Sequence, residues 1–446
     1  MKVTVKKSEV KGKVKVPSSK SMTIRALACA ALAKGNSEIF NPLDSEDTEA
    51  TAKVLGKIGV SIARQSDMWL VTGGNFRVPT EELDCGESAT TLRFMTAICS
   101  LIPGKHRLVG GPSLSKRPIK SLVEALRQLG TKGSIEGKTT PPVTIEGGTF
   151  KGGVAELPGN ISSQFISALL LIAPFAQKEV GIRLTTPMTS RPYVLMTLWC
   201  LKQFGINVRS EFDRFVVRRQ RYKPAKLEVE ADWSSASYFL ALGAVSQGIT
   251  VDNLSTTSLQ GDRIILDFLR VMGAKVRIAG NSITVSQGEL RSIHADLSDC
   301  IDLLPTMAVL AALAEGTSEF TGIERARIKE SNRLIAMRDG LQKLGITVIE
   351  GGDRISIIGM KTPKPSEDEM GEEIKEVEES EGKAEETAPK DIHIDSFNDH
   401  RIAMAFGVLG AAIGGFTIDG AECVAKTFPS FWETMKSVGA ELEINA

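Results

Sequence analysis

Apolar and polar positions along the 446 residues fall into one unit that recurs six times. Its most regular part is an amphipathic helical stretch that ends at glycine and runs into strand-like alternation. The six copies are VLGKIGVSI, LVEALRQLG, TLWCLKQFGINV, LDFLRVMGAKV, GLQKLGITV and TMKSVGAEL. Their shared glycines are Gly59, Gly130, Gly205, Gly273, Gly345 and Gly439, each suited to the left-handed residue that closes a helix. Between 41 and 46 residues upstream, a small polar cluster opens an apolar, alanine-rich helix, near Ser18, Gly86, Ile161, Asp232, Asp299 and Asn398. Each unit reads strand, helix, strand, helix, strand, which predicts an α/β repeat architecture.

The glycine spacings are 71, 75, 68, 72 and 94, and the last identifies an insertion. Residues 361–390 hold 11 acidic and 5 basic residues with three prolines, a composition expected to stay solvated and disordered. Without these 30 residues the last spacing is 64. Six units exceed what one core holds, so the chain is expected to form two domains of three repeats. One spans 17–230; the other joins 1–16 to 231–446, with the first strand crossing over. The basic, turn-prone run 218–226 is the expected break, and a cleft between the domains the expected ligand site.

Composition narrows the function. Hydrophobic residues make up 42% and charged residues 24% of the chain, which excludes a wholly disordered protein. The 54 basic and 54 acidic residues cancel, arguing against a general nucleic-acid or acidic-membrane binder. Outside the insertion, however, 49 basic and 43 acidic residues remain, so the folded part is mildly basic. Six scattered cysteines without a CxxC pair read as buried, reduced thiols. Four histidines lack HxxxH or HExxH spacing, which argues against zinc. Residues 1–16 alternate Lys with Val and read as a strand with no apolar signal-peptide core. The 17-residue run 402–418 contains four glycines and reads as a buried helix and turn, shorter than a membrane span. The expectation is a soluble cytoplasmic protein.

Chemistry enters through cations placed where helix starts favour acids. These are Lys20 and Arg25 in PSSKSMTIRAL, Arg117 in SKRPIKSLVEAL with Pro118 at a first helical position, and Lys329 and Arg333 in RIKESNRLIAM. Arg401 in NDHRIAMAF and Lys426 before TFPSFWETM complete the set. Together they point to bound anions that use helix N–H groups and side-chain charge. Lys329 and Arg333, four apart, are expected on one helix face. Ser162, Ser163 and Gln164 in ISSQFISALLLIA, with Ser190 and Tyr193 in MTSRPYV, supply phosphate ligands or ordinary helix caps. Asp302 sits in DCIDLLPTMAV, where a bare carboxylate is costly unless paired. Glu330 lies between Lys329 and Arg333, which would keep it ionised. These two are the acid–base candidates. VPSSKS lacks both glycines of a phosphate-binding loop, and no GxGxxG follows a strand, so no motif indicates ATP or dinucleotide chemistry.

The segments SKSMTIRAL, GESATTLR, SKRPI, ISSQF, RIKESNRL, FNDHRIAM and AKTFPSF, in this order, closely resemble the 5-enolpyruvylshikimate-3-phosphate synthase family of enolpyruvyl transferases. The resemblance spans nearly the whole chain outside the acidic insertion. It implies two domains, each of three βαβαββ units, closing around shikimate 3-phosphate and phosphoenolpyruvate. It further implies a monomer without metal or organic cofactor, acting in the shikimate pathway toward chorismate and aromatic amino acids. Shikimate 3-phosphate contacts fall on Ser21, Arg25, Ser162, Ser163, Gln164, Ser190, Tyr193, Asp302 and Lys329. Phosphoenolpyruvate contacts fall on Lys20, Ala89, Arg117, Gln164, Arg333, Arg401 and Lys426. Glu330, helped by Lys20, would protonate the methylene carbon, and either Asp302 or Lys20 would take the 5-hydroxyl proton.

Three positions depart from the family pattern. Ala89 in GESAT replaces a usual glycine; its methyl should narrow the phosphoenolpyruvate pocket and weaken glyphosate, which occupies that pocket in the family. Arg325 stands where some members have Asn, and Ser18 replaces a common Gly. A sister transferase acting on UDP-N-acetylglucosamine carries a reactive Cys where GGPSLSKRP has Pro112. A non-catalytic anion-binding or assembly protein is the alternative from another class, opposed by the retained Lys20, Asp302 and Glu330.

Overall fold

The computed structural model describes residues 1–211, 213–361 and 392–445. The acidic insertion, Lys361 apart, lies outside the described residues.

Six four-stranded sheets share one strand order. In the sheet formed by residues 83–147, Leu83–Asp84 pairs in parallel with Gly104–Val109. The third and fourth strands, Lys132–Ile135 and Val143–Gly147, form an antiparallel hairpin, and Val143–Gly147 joins Gly104–Val109. Helix Ala89–Ile98 makes the crossover that a parallel pair requires, and helix Lys120–Gln128 leads into the hairpin. This is the βαβαββ unit. The other five sheets repeat its parallel pair and its two antiparallel pairings; in four of them the last two strands form a hairpin, and in the fifth Lys2–Val5 stands in for one hairpin strand.

Helix ends explain the repeat's regularity. Gly59, Gly130, Gly205, Gly273, Gly345 and Gly439 all have φ between 75° and 101°. At each, the glycine N–H reaches back three residues and the next N–H five, as in Gly205 to Lys202 O at 3.0 Å and Ile206 to Leu201 O at 2.8 Å. These paired bonds satisfy carbonyls that the helix leaves open.

Three sheets borrow a strand from elsewhere in the chain. Lys226–Glu228 pairs with Gly35–Phe40 and opens the first sheet. Lys11–Val14 opens the fourth beside Gly248–Val251. Lys2–Val5 lies between Phe416–Asp419 and Leu442–Asn445 in the last. Residues 1–16 thus form two strands rather than one, and the basic run 218–226 does not mark a break. Two compact units result, Met1–Val16 with Trp233–Thr256 and Asp262–Ala446, and Pro17–Asp232 with Thr257–Gly261. Each holds three sheets.

In the Pro17–Asp232 unit, helices Lys20–Leu32, Ala89–Ile98 and Ser163–Ile172 are almost wholly buried and form the core with Arg191–Gln203. Such all-round apolarity suits helices enclosed by sheets. In the other unit, Trp233–Ala244, Leu304–Leu313 and His400–Ile413 play this part. His400–Ile413 ends at Gly414 and turns into Phe416–Asp419, as the run 402–418 predicts. Among the described residues, no helix is long and apolar enough to cross a membrane. All six cysteines are free and buried, and burial raises the thiol of Cys200 to about 12.

Candidate active site

Polar side chains gather where the buried helices begin. In the Pro17–Asp232 unit, Ser19 caps Lys20–Leu32. Lys20 Nζ lies 2.9 Å from Asp47, on helix Glu46–Lys57. One turn on, Arg25 is 1% exposed. It donates to Thr197 Oγ1 at 2.8 Å, to Ser21 O at 2.8 Å and to Tyr193 O at 3.1 Å. Burial lowers its proton affinity. Phe94 and Tyr193 lie 5.6 and 5.8 Å from the guanidinium, a distance at which aromatic rings stabilise cations.

Helix Ala89–Ile98 contributes an arginine that sequence reasoning missed. Arg93 is buried, donates to Gln164 Oε1 at 2.6 Å and Ser162 Oγ at 3.2 Å, and reaches Pro118 O at 3.1 Å. Gln164 in turn donates to Thr90 Oγ1 at 2.9 Å. Arg93 therefore joins ISSQF, GESATTLR and SKRPI into one cluster. Its only sequence signal is a charge within an otherwise apolar helix. Ser162 caps Ser163–Ile172 by accepting from Gln164 N–H at 3.3 Å. Ser190 precedes Arg191–Gln203 with φ +52° and makes no side-chain cap bond. A left-handed serine is a strained conformation of the sort that collects at binding sites. Arg117 is buried at the end of the short turn Leu114–Lys116. Pro118 lies outside Lys120–Gln128 rather than at its first position. Ala89 is the first residue of its helix and buried.

In the other unit, three cationic side chains converge on Asp302, at the start of Leu304–Leu313. Arg333 Nη1 lies 2.7 Å from Asp302 Oδ1, Lys329 Nζ 3.4 Å from the same oxygen, and Arg401 Nη2 3.4 Å from Oδ2. Arg333 also binds Glu330 Oε2 at 2.7 Å and Asp399 Oδ2 at 2.8 Å. Burial opposes ionisation of Asp302, but Arg401, Lys329 and Arg333 outweigh it and hold the carboxyl well below the usual carboxylate range. Burial lowers Lys329 to about 8 despite Asp302. Arg333, also buried, is held protonated by Asp399, Glu330 and Asp302.

Lys329 and Arg333 do not share a helix. Asn332 caps Arg333–Lys343 by accepting from Ile335 N–H, and Lys329 ends the preceding turn Glu324–Ile328. They meet at Asp302 through tertiary structure instead. Arg325 donates to Ser298 O at 2.7 Å. Asp399, which sequence reasoning also left out, caps His400–Ile413 and accepts from Ser331 Oγ at 3.0 Å. Buried Lys426 donates to Asn398 O at 2.6 Å, in a loop where Phe397 and Asn398 have φ near +52°.

The sequence matches the model of the EPSP synthase (3-phosphoshikimate 1-carboxyvinyltransferase) family over residues 5–435. The chain belongs to the EPSP synthase family. It is 44% identical over 446 residues to a 3-phosphoshikimate 1-carboxyvinyltransferase of Dehalococcoides mccartyi, covering 99% of each protein. It is 37% identical to that of Methanocaldococcus jannaschii, again over 99% of each. Among solved structures, EPSP synthase from Acinetobacter baumannii matches with a TM-score of 0.78 at 28% identity over the full length of both chains. The enolpyruvyl transferase NikO from Streptomyces tendae shares the fold at TM-score 0.76 and 14% identity, over 99% of this chain and 98% of its own. The six βαβαββ units are therefore those of an EPSP synthase-like enolpyruvyl transferase.

Proposed function

We propose that this chain transfers the enolpyruvyl group of phosphoenolpyruvate to the 5-hydroxyl of shikimate 3-phosphate and releases phosphate. The observation that carries this reading is the buried Asp302–Arg333–Glu330 cluster, edged by Lys329 and Arg401, in a chain related to such enzymes along its length.

In this reading, Ser21, Arg25, Ser162, Ser163, Gln164, Ser190, Tyr193, Asp302 and Lys329 hold shikimate 3-phosphate. Lys20, Ala89, Arg117, Gln164, Arg333, Arg401 and Lys426 hold phosphoenolpyruvate. Cations offset repulsion between two anions and orient them for attack. Arg333 is fully committed to carboxylates before substrate arrives. A substrate carboxylate that takes over Nη2 would displace Glu330; losing its cation raises its proton affinity, so that it takes up a proton from solvent and can then act as an acid.

The 5-hydroxyl oxygen then bonds to the substituted carbon of phosphoenolpyruvate while Glu330 gives a proton to the methylene carbon. Asp302 or Lys20 accepts the hydroxyl proton. The tetrahedral intermediate expels phosphate as the emptied Glu330 carboxylate takes a proton back from the methyl group, which regenerates both the double bond and the acid. Asp302 is a weak base while three cations hold it, so its proposed work is to orient the hydroxyl as much as to take its proton. The units 17–232 and 1–16 with 233–446 serve as the two domains of this enzyme. A monomer in the cytoplasm completes the proposal; six buried thiols without a disulfide favour a reducing compartment.

Phosphate release tests the reading. It is expected with phosphoenolpyruvate plus shikimate 3-phosphate and absent with UDP-N-acetylglucosamine. Release only with the latter, or with neither, overturns it.

A further inference from the structure

Residues 110–119, between strand Gly104–Val109 and helix Lys120–Gln128, carry Arg117 on the sequence GGPSLSKRPI. The loop's only regular element is the turn Leu114–Lys116, which Arg117 closes by donating its N–H to Leu114 O at 3.0 Å. That turn has no side-chain cap of its own at Ser113. A cap comes instead from another segment. Glu87 accepts the N–H of Leu114 on Oε2 at 2.8 Å and that of Ser113 on Oε1 at 3.3 Å.

Neighbouring groups are shaped around this bond pair. Gly111 donates its N–H to Gly86 O at 2.8 Å. A Cβ at Gly111 would lie 2.3 Å from Glu87 Oε1, and one at Gly110 would lie 2.5 Å from Leu114 Cδ2. Both distances are closer than side-chain carbons come, so Gly111 is sterically matched to Glu87 and Gly110 to Leu114. GES and GGP therefore interlock, tying the turn before Ala89 to the loop that presents Arg117.

We infer that Glu87 is a positioning residue for Arg117, and that through it Glu87 sets the affinity for phosphoenolpyruvate. This rests on the function proposed above. By charge alone, a carboxylate near a site for anions weakens their binding. Here that charge is answered by two backbone N–H groups, the nearer at 2.8 Å, and charge-assisted bonds of that length are directional. What Glu87 contributes is therefore geometry: it fixes the turn whose last residue is Arg117.

Two measurements test it. Hydrogen exchange on the intact protein should show residues 110–117 losing protection in Glu87→Ala; unchanged protection overturns the tether whatever the enzyme's substrate is. In steady-state kinetics, Glu87→Ala should raise KM for phosphoenolpyruvate roughly tenfold or more. Its kcat and its binding of shikimate 3-phosphate alone should stay within about twofold, since the lost bonds touch only the Arg117 loop. Glu87→Gln keeps the shape and one acceptor and should fall between, which guards against a variant that misfolds. If Glu87 acts through Arg117, adding Glu87→Ala to Arg117→Ala should cost nothing further. Multiplying losses, or an equal rise in both substrate constants, overturns the role. Failure of the parent reading is separate, because it appears as no phosphate release from the unaltered protein.

Discussion

Arg333 and Asp399 meet with both side chains buried, Nε to Oδ2 at 2.8 Å and Nη2 to Oδ1 at 3.2 Å. Asp399 also accepts the N–H of Arg401 at 3.0 Å, so one carboxylate fixes both an arginine and the start of a helix. Removing one member of a buried pair leaves the other charged and uncompensated. Asp399→Ala should therefore lower unfolding free energy by about 3–5 kcal/mol in denaturant titration. Asp399→Asn, which keeps an acceptor, should cost less.

Glu330→Gln preserves shape and one acceptor for Arg333 but removes the proton donor. Turnover should fall by about 10²–10⁴-fold, the usual worth of a general acid. Binding of both substrates, followed by calorimetry, should remain. Near-normal turnover would remove Glu330 from the proposed chemistry.

Lys329 supplies a pH signature. Its folded value of about 8 lies below the 10.5 of a free lysine, so it is protonated below pH 8 and neutral above. If its charge holds shikimate 3-phosphate, the dissociation constant should rise above about pH 8, by roughly tenfold per unit at the limit. Lys329→Arg stays protonated throughout this range, so its affinity curve should be flat there. A wild-type curve that is already flat would count against the contact.

Ala89 is buried at the first position of its helix. If its methyl narrows the proposed phosphoenolpyruvate pocket, glyphosate should inhibit weakly. Ala89→Gly should tighten competitive inhibition by about 10–200-fold, the range one carbon commands in a fitted pocket. Strong block of the unaltered protein would refute this.

Two repeat glycines should respond differently to alanine. Gly345 has φ +75° and open space where a Cβ would stand, so Gly345→Ala carries only left-handed backbone strain, about 1–2 kcal/mol. At Gly273, φ +98°, a Cβ would lie 2.4 Å from Glu289 O. Gly273→Ala should lower the melting temperature further, because a backbone carbonyl must also move.

The repeat was legible because its signals are local. A helix-closing glycine announces itself within six residues, and Gly59 through Gly439 all close helices in the same way. Borrowed strands were not legible in detail, because nothing in Lys226–Glu228 names Gly35–Phe40 as its partner. The candidate anion-binding cations stood out as charges near predicted helix starts. Asp47, Arg93 and Asp399 did not, since they are selected by contacts between segments 27 to 71 residues apart. Lys329 and Arg333 show a local rule losing to another: four-residue spacing suggests one helix, but Asn332 is a strong cap and starts the helix at Arg333.

The borrowed strands also impose an order of assembly. During synthesis, the three sheets of the 17–232 unit have all their strands once Glu228 has emerged. Lys11–Val14 must wait for Gly248–Val251, and Lys2–Val5 for Phe416–Asp419 and then Leu442–Asn445. Lys2–Val5 precedes every other described strand and is nevertheless among the last to be paired, because its sheet is complete only once Leu442–Asn445 has emerged.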